Sequence, residues 1–214
     1  MDHIKGINRQ SSLIFDFDGT IADSFEFLEP FINELPLQVK QKINEVGIEA
    51  LRDYSLTDLV KITGLPVIMI PVLFLKFRKI FADNLAKIKP VSGMPSVLWE
   101  LRKRNYPLYI VTINSRDTVM GFLENNKMNM FEDVMATKGL FDKHLRLRKL
   151  MDKHGIDTNN DYYIGDDFRD ILAARKVGIK VIAVSWGLNS RKLLEQYQPD
   201  FLISKPEELL NLPL

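Results

Sequence analysis

Four carboxylates stand where two apolar runs end. Leu13-Ile14-Phe15-Asp16-Phe17-Asp18-Gly19-Thr20 carries one pair, and Tyr162-Tyr163-Ile164-Gly165-Asp166-Asp167-Phe168-Arg169-Asp170 carries the other. Burying that much like charge costs several kcal/mol unless it is paired or metal-bound. Two acid clusters at two strand ends therefore point to a cation site and to phosphoryl transfer. Asp16 is the candidate nucleophile, since a carboxylate can attack phosphorus and split one displacement into two. Asp18 lies two residues on, where the turn at Gly19 can bring both acids around one point. It is the candidate acid for the leaving group and then the base for water. Asp166 and Asp170 would join Asp16 and the main-chain carbonyl of Asp18 around the cation. Asp170, four residues past Asp166, is reachable on a first helical turn. Asp167 reads better as a helix cap, and Arg169 as a structural residue that could pair with either Asp167 or Asp170.

A phosphate site also needs positive charge and hydrogen-bond donors. Thr112 ends the run Leu108–Val111, and its hydroxyl with the amides of Ile113 and Asn114 could hold phosphate oxygens at a helix entrance. Ser115 would cap the helix that follows. Lys143 is the candidate ammonium, with Lys138 its rival. Each of these residues has a plainer reading when taken alone: a turn-capping Asp18, a buried β-branched Thr112, a solvated lysine. It is their combination that carries the chemistry.

The elements that must position them follow from the apolar pattern. Strand-length runs occur at Leu13–Phe17, Leu108–Val111, Val134-Met135, Tyr162–Ile164, Val181–Val184 and Phe201–Ile203. Near-continuous apolarity predicts strands covered on both faces. Helices are predicted between them at Met94–Lys103, Thr118–Asn125, Leu145–His154, Ile171–Lys176 and Arg191–Gln196. The fold class expected is α/β, a mostly parallel Rossmann-like core sheet, with ligands at the carboxyl ends of the strands. Residues 21–90 break this rhythm. They predict helices at Ser24–Glu34, Gln38–Leu51, Thr57–Lys61 and Val67–Leu85, punctuated by Pro36, Gly64, Pro66 and Pro90. The expected division is a catalytic core of residues 1–20 and 91–214, and a helical cap of 21–90. Within that cap, Lys61, Lys76, Arg78, Lys79, Lys87 and Lys89 face only Asp83 in residues 61–90. This predicts a lid with a basic part that meets an anionic substrate, Lys61 and the 61–64 loop being candidates for contact with the leaving group.

Composition narrows the chemistry. At 214 residues, 46% hydrophobic and 27% charged, the chain has the make-up of an ordinary soluble globule. A formal net charge of +1 gives no general pull toward nucleic acid. The absence of cysteine rules out a thiol nucleophile and a disulfide framework. His3, His144 and His154 form no His-x-x-x-His pair, so hard oxygen ligands and Mg2+ are expected rather than zinc or iron. No signal-peptide core precedes the first strand, and the apolar stretch Val67–Phe77 is interrupted by Pro71 and Lys76. A cytoplasmic enzyme without stable membrane insertion is expected. The same stretch could at most touch a membrane surface.

These motifs resemble those of the haloacid dehalogenase-like hydrolase superfamily, and in particular its phosphoglycolate-phosphatase-like branch, over essentially the whole chain. Asp16–Ser24 is similar to the first family motif, Ile110-Val111-Thr112 to the second, Leu140-Phe141-Asp142-Lys143 to the third and Gly165–Asp170 to the fourth. The third departs from close relatives in carrying Asp142 where Gly is common, which sets an acid beside the ammonium. Ser185-Trp186-Gly187 and Pro199–Ile203 are similar to late segments of the branch. The resemblance implies Asp16 as nucleophile, Asp18 as acid and base, Thr112 and Lys143 on phosphate, Asp166 and Asp170 on magnesium, and a helical cap between the first two motifs. It implies a phosphatase for a small phosphorylated metabolite, phosphoglycolate or a similar compound. A sugar phosphomutase is the enzymatic alternative, and a phosphate-binding interaction protein the non-enzymatic one. A dehalogenase would leave Asp18, Asp166 and Asp170 without a task. A phosphonate hydrolase would need a cap amine, for which only Lys61 offers itself.

Overall fold

The computed structural model describes residues 10–137, 139 and 142–214, with the side chain of Glu26 excepted. Lys138, Leu140, Phe141 and His3 lie outside the described residues. Six parallel strands form one sheet: β1 (Leu13–Phe15), β2 (Leu108–Thr112), β3 (Asp133–Ala136), β4 (Tyr162–Gly165), β5 (Lys180–Val184) and β6 (Phe201–Ile203). Their order is β3-β2-β1-β4-β5-β6. This is the doubly wound order in which the chain reverses direction beside β1, so a crevice opens at the carboxyl ends of β1, β2 and β4. The register places Leu13 between Leu108 and Tyr162, and Phe15 between Ile110 and Ile164. The residues that follow each strand therefore emerge at one level.

Alternate side chains leave the sheet on opposite faces, and each face is covered by helices. Leu13, Phe15, Ile110 and Ile164 pack with Leu98 and Leu101 of the helix Met94–Lys103 and with Phe122 of Arg116–Asn125. Ile14, Val111 and Tyr163 pack on the other side with Leu147 and Leu150 of Lys143–His154 and with Ile171 and Ala174 of Phe168–Val177. A shorter helix, Arg191–Gln196, adds Leu194 to that second layer. Burial on both faces explains why these strands read as continuous apolar runs.

At the sheet edge, Asp133 ties β3 to its covering helix through Lys153 at 2.7 Å and His154 at 3.0 Å. Burial pushes its carboxyl up, but these hydrogen bonds and the Val134 amide outweigh it and bring the pKa from 3.8 down to about 2. The stabilisation is present above the unfolded-state value and is lost as pH falls through about 2. Asp133→Asn should therefore lower stability by about 1 kcal/mol at pH 7, after discounting for solvent screening. In thermal melts the variant should trail the parent at pH 7 and converge on it only below about pH 2.

Between β1 and β2 the chain makes an inserted set of helices: α1 (Leu28–Asn33), α2 (Leu37–Val46), α3 (Ile48–Leu51), α4 (Leu56–Thr63) and α5 (Ile70–Asp83). The expected helix over 38–51 is two helices, because Gly47 takes φ +89° and breaks the run. The segments expected to begin helices at Ser24 and Val67 begin instead as 3-10 turns. The strand expected to reach Phe17 stops at Phe15, where the chain turns toward Gly19. Ile32, Leu35, Val39, Ile43 and Leu73 form an apolar cluster of their own within the insert. Its two connecting strands run side by side, with the Asp23 amide on the Lys89 carbonyl at 2.9 Å and the Val91 amide on the Ile21 carbonyl at 2.9 Å. We propose that this paired connection marks the boundary between a core of 1–20 and 91–214 and a cap of 21–90.

The greasy segment is resolved into two faces. Leu73 and Phe81 turn inward, while Ile68, Val72 and Leu75 are exposed. No helix of the described residues is long and apolar enough to cross a membrane.

Candidate active site

Asp16 follows β1, Thr112 ends β2 and Asp166 follows β4, so the register delivers all three to one crevice. The Lys143 ammonium lies 2.8 Å from Asp16 Oδ2 and 2.6 Å from Asp170 Oδ1. All three side chains are nearly or fully buried. Asp16 Oδ1 is buried and has no hydrogen-bond partner. Asp166 accepts from the Thr20 hydroxyl at 2.8 Å and from the Leu188 amide at 2.6 Å. Asp170 also accepts from Tyr163 at 3.2 Å and from the Asp167 amide at 3.2 Å. The backbone makes room for these acids. A Cβ at Gly19 or Gly187 would collide with the Asp166 carboxylate, and one at Gly165 with that of Asp170. Gly19 also has φ +73°, which an L side chain rarely adopts.

Charge in this crevice is out of balance. Asp16, Asp166 and Asp170 each offer an oxygen, and those oxygens lie within 4.8 Å of one another. Against three carboxylates stands one ammonium. Burial raises the pKa of Asp16, with Asp18 adding to the rise and Lys143 opposing it. Burial, then the charges of Asp16 and Asp170, raise Asp166 well above the carboxylate range. Burial likewise raises Asp170 against the pull of Lys143. The ammonium itself is held charged, its desolvation outweighed by Asp16 and Asp170. Ionising all three acids leaves two negative charges to offset, which is the charge of a divalent cation. The orphaned Asp16 oxygen and the glycine-lined cradle of Asp166 fit such an ion, and an all-oxygen donor set suits a hard one.

Asp18 is not a member of that acid group. Its Oδ1 accepts from the Asn114 side-chain amide at 3.2 Å. Burial raises its pKa to about 6, opposed by Asn114, Lys143 and the guanidinium of Arg78. A carboxyl with that pKa can both give and take a proton near neutrality.

The structure treats the remaining expected residues differently. Thr112 is fully buried, and its Oγ1 accepts the Asn114 amide at 2.9 Å. Of Thr112, Ile113 and Asn114, only Ile113 lines the cavity above the acids. Ser115 caps its helix, accepting from the Thr118 amide at 3.1 Å. Asp167 caps Phe168–Val177 and pairs with Arg169. Asp142 accepts from the Gly139 amide at 3.1 Å, while Lys143 turns to Asp16 and Asp170.

Residues 61–63, expected in a loop, are the last turn of α4, which Gly64 ends; Lys61 is exposed and absent from the cavity lining, which this turn reaches through Thr63. The helical repeat explains this: the turn lies over the site, but the lysine leaves on the outer face, where its charge acts on Asp58. Lys76 and Lys79 likewise pair with Glu34 and Asp83 at the surface. The basic part of the insert thus faces solvent. Arg78 is the exception, half-buried beside the Phe74 ring with its charge reaching Asp18.

Sequence reasoning missed Thr20, Asn114 as the partner of Asp18, the Gly187-Leu188-Asn189 turn that holds Asp166, and Arg52. Arg52 lines the cavity and donates to the Ser185 carbonyl at 2.8 Å, joining the insert to the core. The Ser185-Trp186-Gly187 segment was a visible signal for the turn, though without a role attached.

Comparison with known proteins agrees with this geometry. The chain is 32% identical over 202 residues to a phosphoglycolate phosphatase from Synechococcus elongatus, covering 94% of this chain and 95% of that one. It is 28% identical over 207 residues to the pyrophosphatase PpaX from Bacillus cereus, covering 94% of each. A haloacid dehalogenase-like family protein from Streptococcus pneumoniae superposes with a TM-score of 0.72 at 23% identity, over 94% of this chain and 97% of that one. At that identity the likeness is one of fold. The model of the family described as haloacid dehalogenase-like hydrolase matches residues 13–184, from the start of β1, which Asp16 follows, to the end of β5 beyond the Asp166 cluster. With its parallel sheet, inserted helices and buried aspartate cluster, the chain belongs to the haloacid dehalogenase-like hydrolases, a family of enzymes, in their phosphoglycolate-phosphatase-like branch.

Proposed function

We propose that the protein is a magnesium-dependent phosphatase that hydrolyses a phosphate monoester of a small metabolite through an aspartyl phosphate on Asp16. The observation that carries this reading is the pair of unlike oxygens on Asp16: Oδ2 is fixed by Lys143, and Oδ1 is buried without a partner. A carboxylate fixed at one oxygen cannot swing away from an incoming phosphoryl group, which lowers the entropic part of the barrier. Asp16 attacks phosphorus as the ester P–O bond breaks, and the departing oxygen takes its proton from Asp18. Asp18 then removes a proton from water, the water oxygen attacks phosphorus, and the Asp16–phosphorus bond breaks to release phosphate. Asn114 holds Asp18 in place for both proton transfers. Lys143 offsets charge on the phosphoryl oxygens, and Asp170, which also accepts from the Tyr163 hydroxyl, holds its position. Thr112 accepts the Asn114 amide and so shapes the turn that brings Ile113 to the opposite wall of the phosphate site. Asp16, Asp166 and Asp170, with the main chain of Asp18, would hold Mg2+, which when bound offsets the repulsion between Asp16 and the phosphoryl oxygens.

Relatives named for phosphoglycolate and for pyrophosphate support a phosphorylated small molecule as substrate. The test is release of inorganic phosphate from a panel that includes p-nitrophenyl phosphate, phosphoglycolate and pyrophosphate. Release is expected with Mg2+ and is expected to stop on chelation and return on adding the ion back. Unchanged hydrolysis by chelated protein would overturn the cation's part, and no release from any monoester would overturn the whole reading.

A further inference from the structure

The catalytic crevice continues upward into a cavity of about 600 Å³. Asp16, Asp18, Lys143 and Asp166 form its floor, and its walls come from the inserted helices. Phe31, Leu35, Val39, Leu59, Leu73 and Phe77 face into it. Among the described residues that the insert contributes to the lining, the charged ones are Asp23 and Arg52 alone. Three of the six apolar residues, Leu35, Val39 and Leu73, also belong to the insert's own apolar cluster. The core of the insert is therefore hollow, and the hollow opens onto the nucleophile.

Protein interiors are close-packed, and side chains around a void forfeit dispersion contacts. Apolar walls of this extent favour an apolar occupant over a polar one. Against the apolar faces of Phe31, Leu35, Val39, Leu59, Leu73 and Phe77 a polar leaving group would lose hydrogen bonds to water that those side chains cannot replace. Besides Lys143, the cationic side chains among the described residues of the lining are Arg52, Arg169 and Lys176. Arg169 is paired with Asp167, and Arg52 is engaged by Glu49 at 3.3 Å and by the Ser185 carbonyl at 2.8 Å, which leaves its buried Nε as the donor a carboxylate such as that of glycolate could meet.

We propose that the substrate is an amphiphilic phosphate monoester, with its phosphate on the carboxylate floor and an alkyl or arylalkyl leaving group in the hollow of the cap. The inference rests on the phosphatase reading and names its substrate class. The chemistry is unchanged: the ester P–O bond breaks, the long-chain alcohol leaves with the Asp18 proton, and water later takes phosphate from Asp16.

The test measures kcat/KM with Mg2+ for ethyl, butyl, hexyl and octyl phosphate and for phosphoglycolate. Each buried methylene should raise kcat/KM about two- to fourfold, so octyl, with its additional methylenes, should exceed ethyl by roughly 60- to 4,000-fold. Leu59→Trp and, separately, Val39→Phe fill the hollow and should cut the octyl-to-ethyl ratio by at least about tenfold, on the same principle. A flat series in the parent protein overturns the proposal. So does a preference for phosphoglycolate over octyl phosphate that Arg52→Ala removes. Binding of octylphosphonate against ethylphosphonate, measured by calorimetry on the parent protein, needs neither turnover nor a folded variant. Tenfold or tighter binding of the octyl compound upholds the apolar site, and equal affinities overturn it. If no ester is hydrolysed while octylphosphonate still binds more tightly, the phosphatase reading fails and the apolar site stands.

Discussion

Asp16→Asn is expected to reduce phosphate release by roughly 10⁴-fold or more, the scale on which loss of a covalent nucleophile acts. Asparagine keeps the shape and loses the charge. Its amide nitrogen has no lone pair to offer phosphorus, and its oxygen is a far weaker nucleophile than a carboxylate. The fold should survive, because the substitution removes one of three mutually repelling acids from a buried site. Asp16 sits among Asp18, Asp166 and Asp170, and burial already disfavours its charged form. Melting at neutral pH without added cation should therefore be unchanged or slightly higher in the variant. Lys143 keeps Asp170 at 2.6 Å as its partner, so the ammonium is not stranded. Two measurements decide the matter: steady-state release on the best monoester, and the mass of acid-quenched parent enzyme after brief exposure to substrate. A phosphoryl increment that maps to Asp16 in the parent and is absent from the variant supports the covalent route. Full multiple-turnover activity in the asparagine variant would falsify it.

The acids were legible because a charge at the end of an apolar run has few benign explanations. Leu13–Phe15 and Tyr162–Gly165 are covered on both faces, so an Asp just beyond either must be capped, paired or bound to a cation. The parallel sheet was legible for the same reason. Chain reversals were not. Gly47 reads as an ordinary glycine within an apolar-periodic stretch, and only its backbone conformation shows that it divides two helices. Contacts made across long separations were also hidden. Nothing local to Asn114 announces that its amide reaches Asp18, 96 residues away, and nothing local to Arg52 announces the Ser185 carbonyl. Lys61 shows the converse failure. Sequence position brought its segment toward the site, but Lys61 lies in the last turn of α4, and the phase of that helix points the lysine to solvent. The hollow in the insert lay beyond sequence reading altogether. Apolar periodicity says which faces turn inward, not whether the facing side chains are long enough to meet.

Asp166→Ala should remove the response to Mg2+ in stability as well as in turnover. The carboxyl of Asp166 is held well above the usual carboxylate range, first by burial and then by the charges of Asp16 and Asp170. A carboxyl whose folded-state pKa is raised favours folding at pH below its unfolded value, and this advantage is lost as pH rises toward the folded value. The cation-free parent should accordingly lose stability between about pH 4 and neutrality. Mg2+ reverses the penalty by binding the ionised form, so its effect on melting should be larger at pH 7.5 than at pH 5. At a concentration about 100 times its dissociation constant, one bound ion adds about 2.7 kcal/mol, or roughly 5–10 °C for a chain of this size. In the alanine variant that shift should shrink to near zero. The cation-free variant should meanwhile melt no lower than the parent by more than a degree or two, because relief of repulsion offsets the lost hydrogen bonds from Thr20 and Leu188. Turnover with saturating Mg2+ should fall by roughly 10³-fold, the effect of losing several kcal/mol of charge stabilisation at the phosphoryl group. Ca2+ should still raise the melting temperature of the parent while supporting poor turnover, since its looser coordination leaves the reacting groups less well aligned. A variant that kept the full thermal shift with Mg2+ would show that the ion binds elsewhere, and the three-carboxylate site would have to be abandoned.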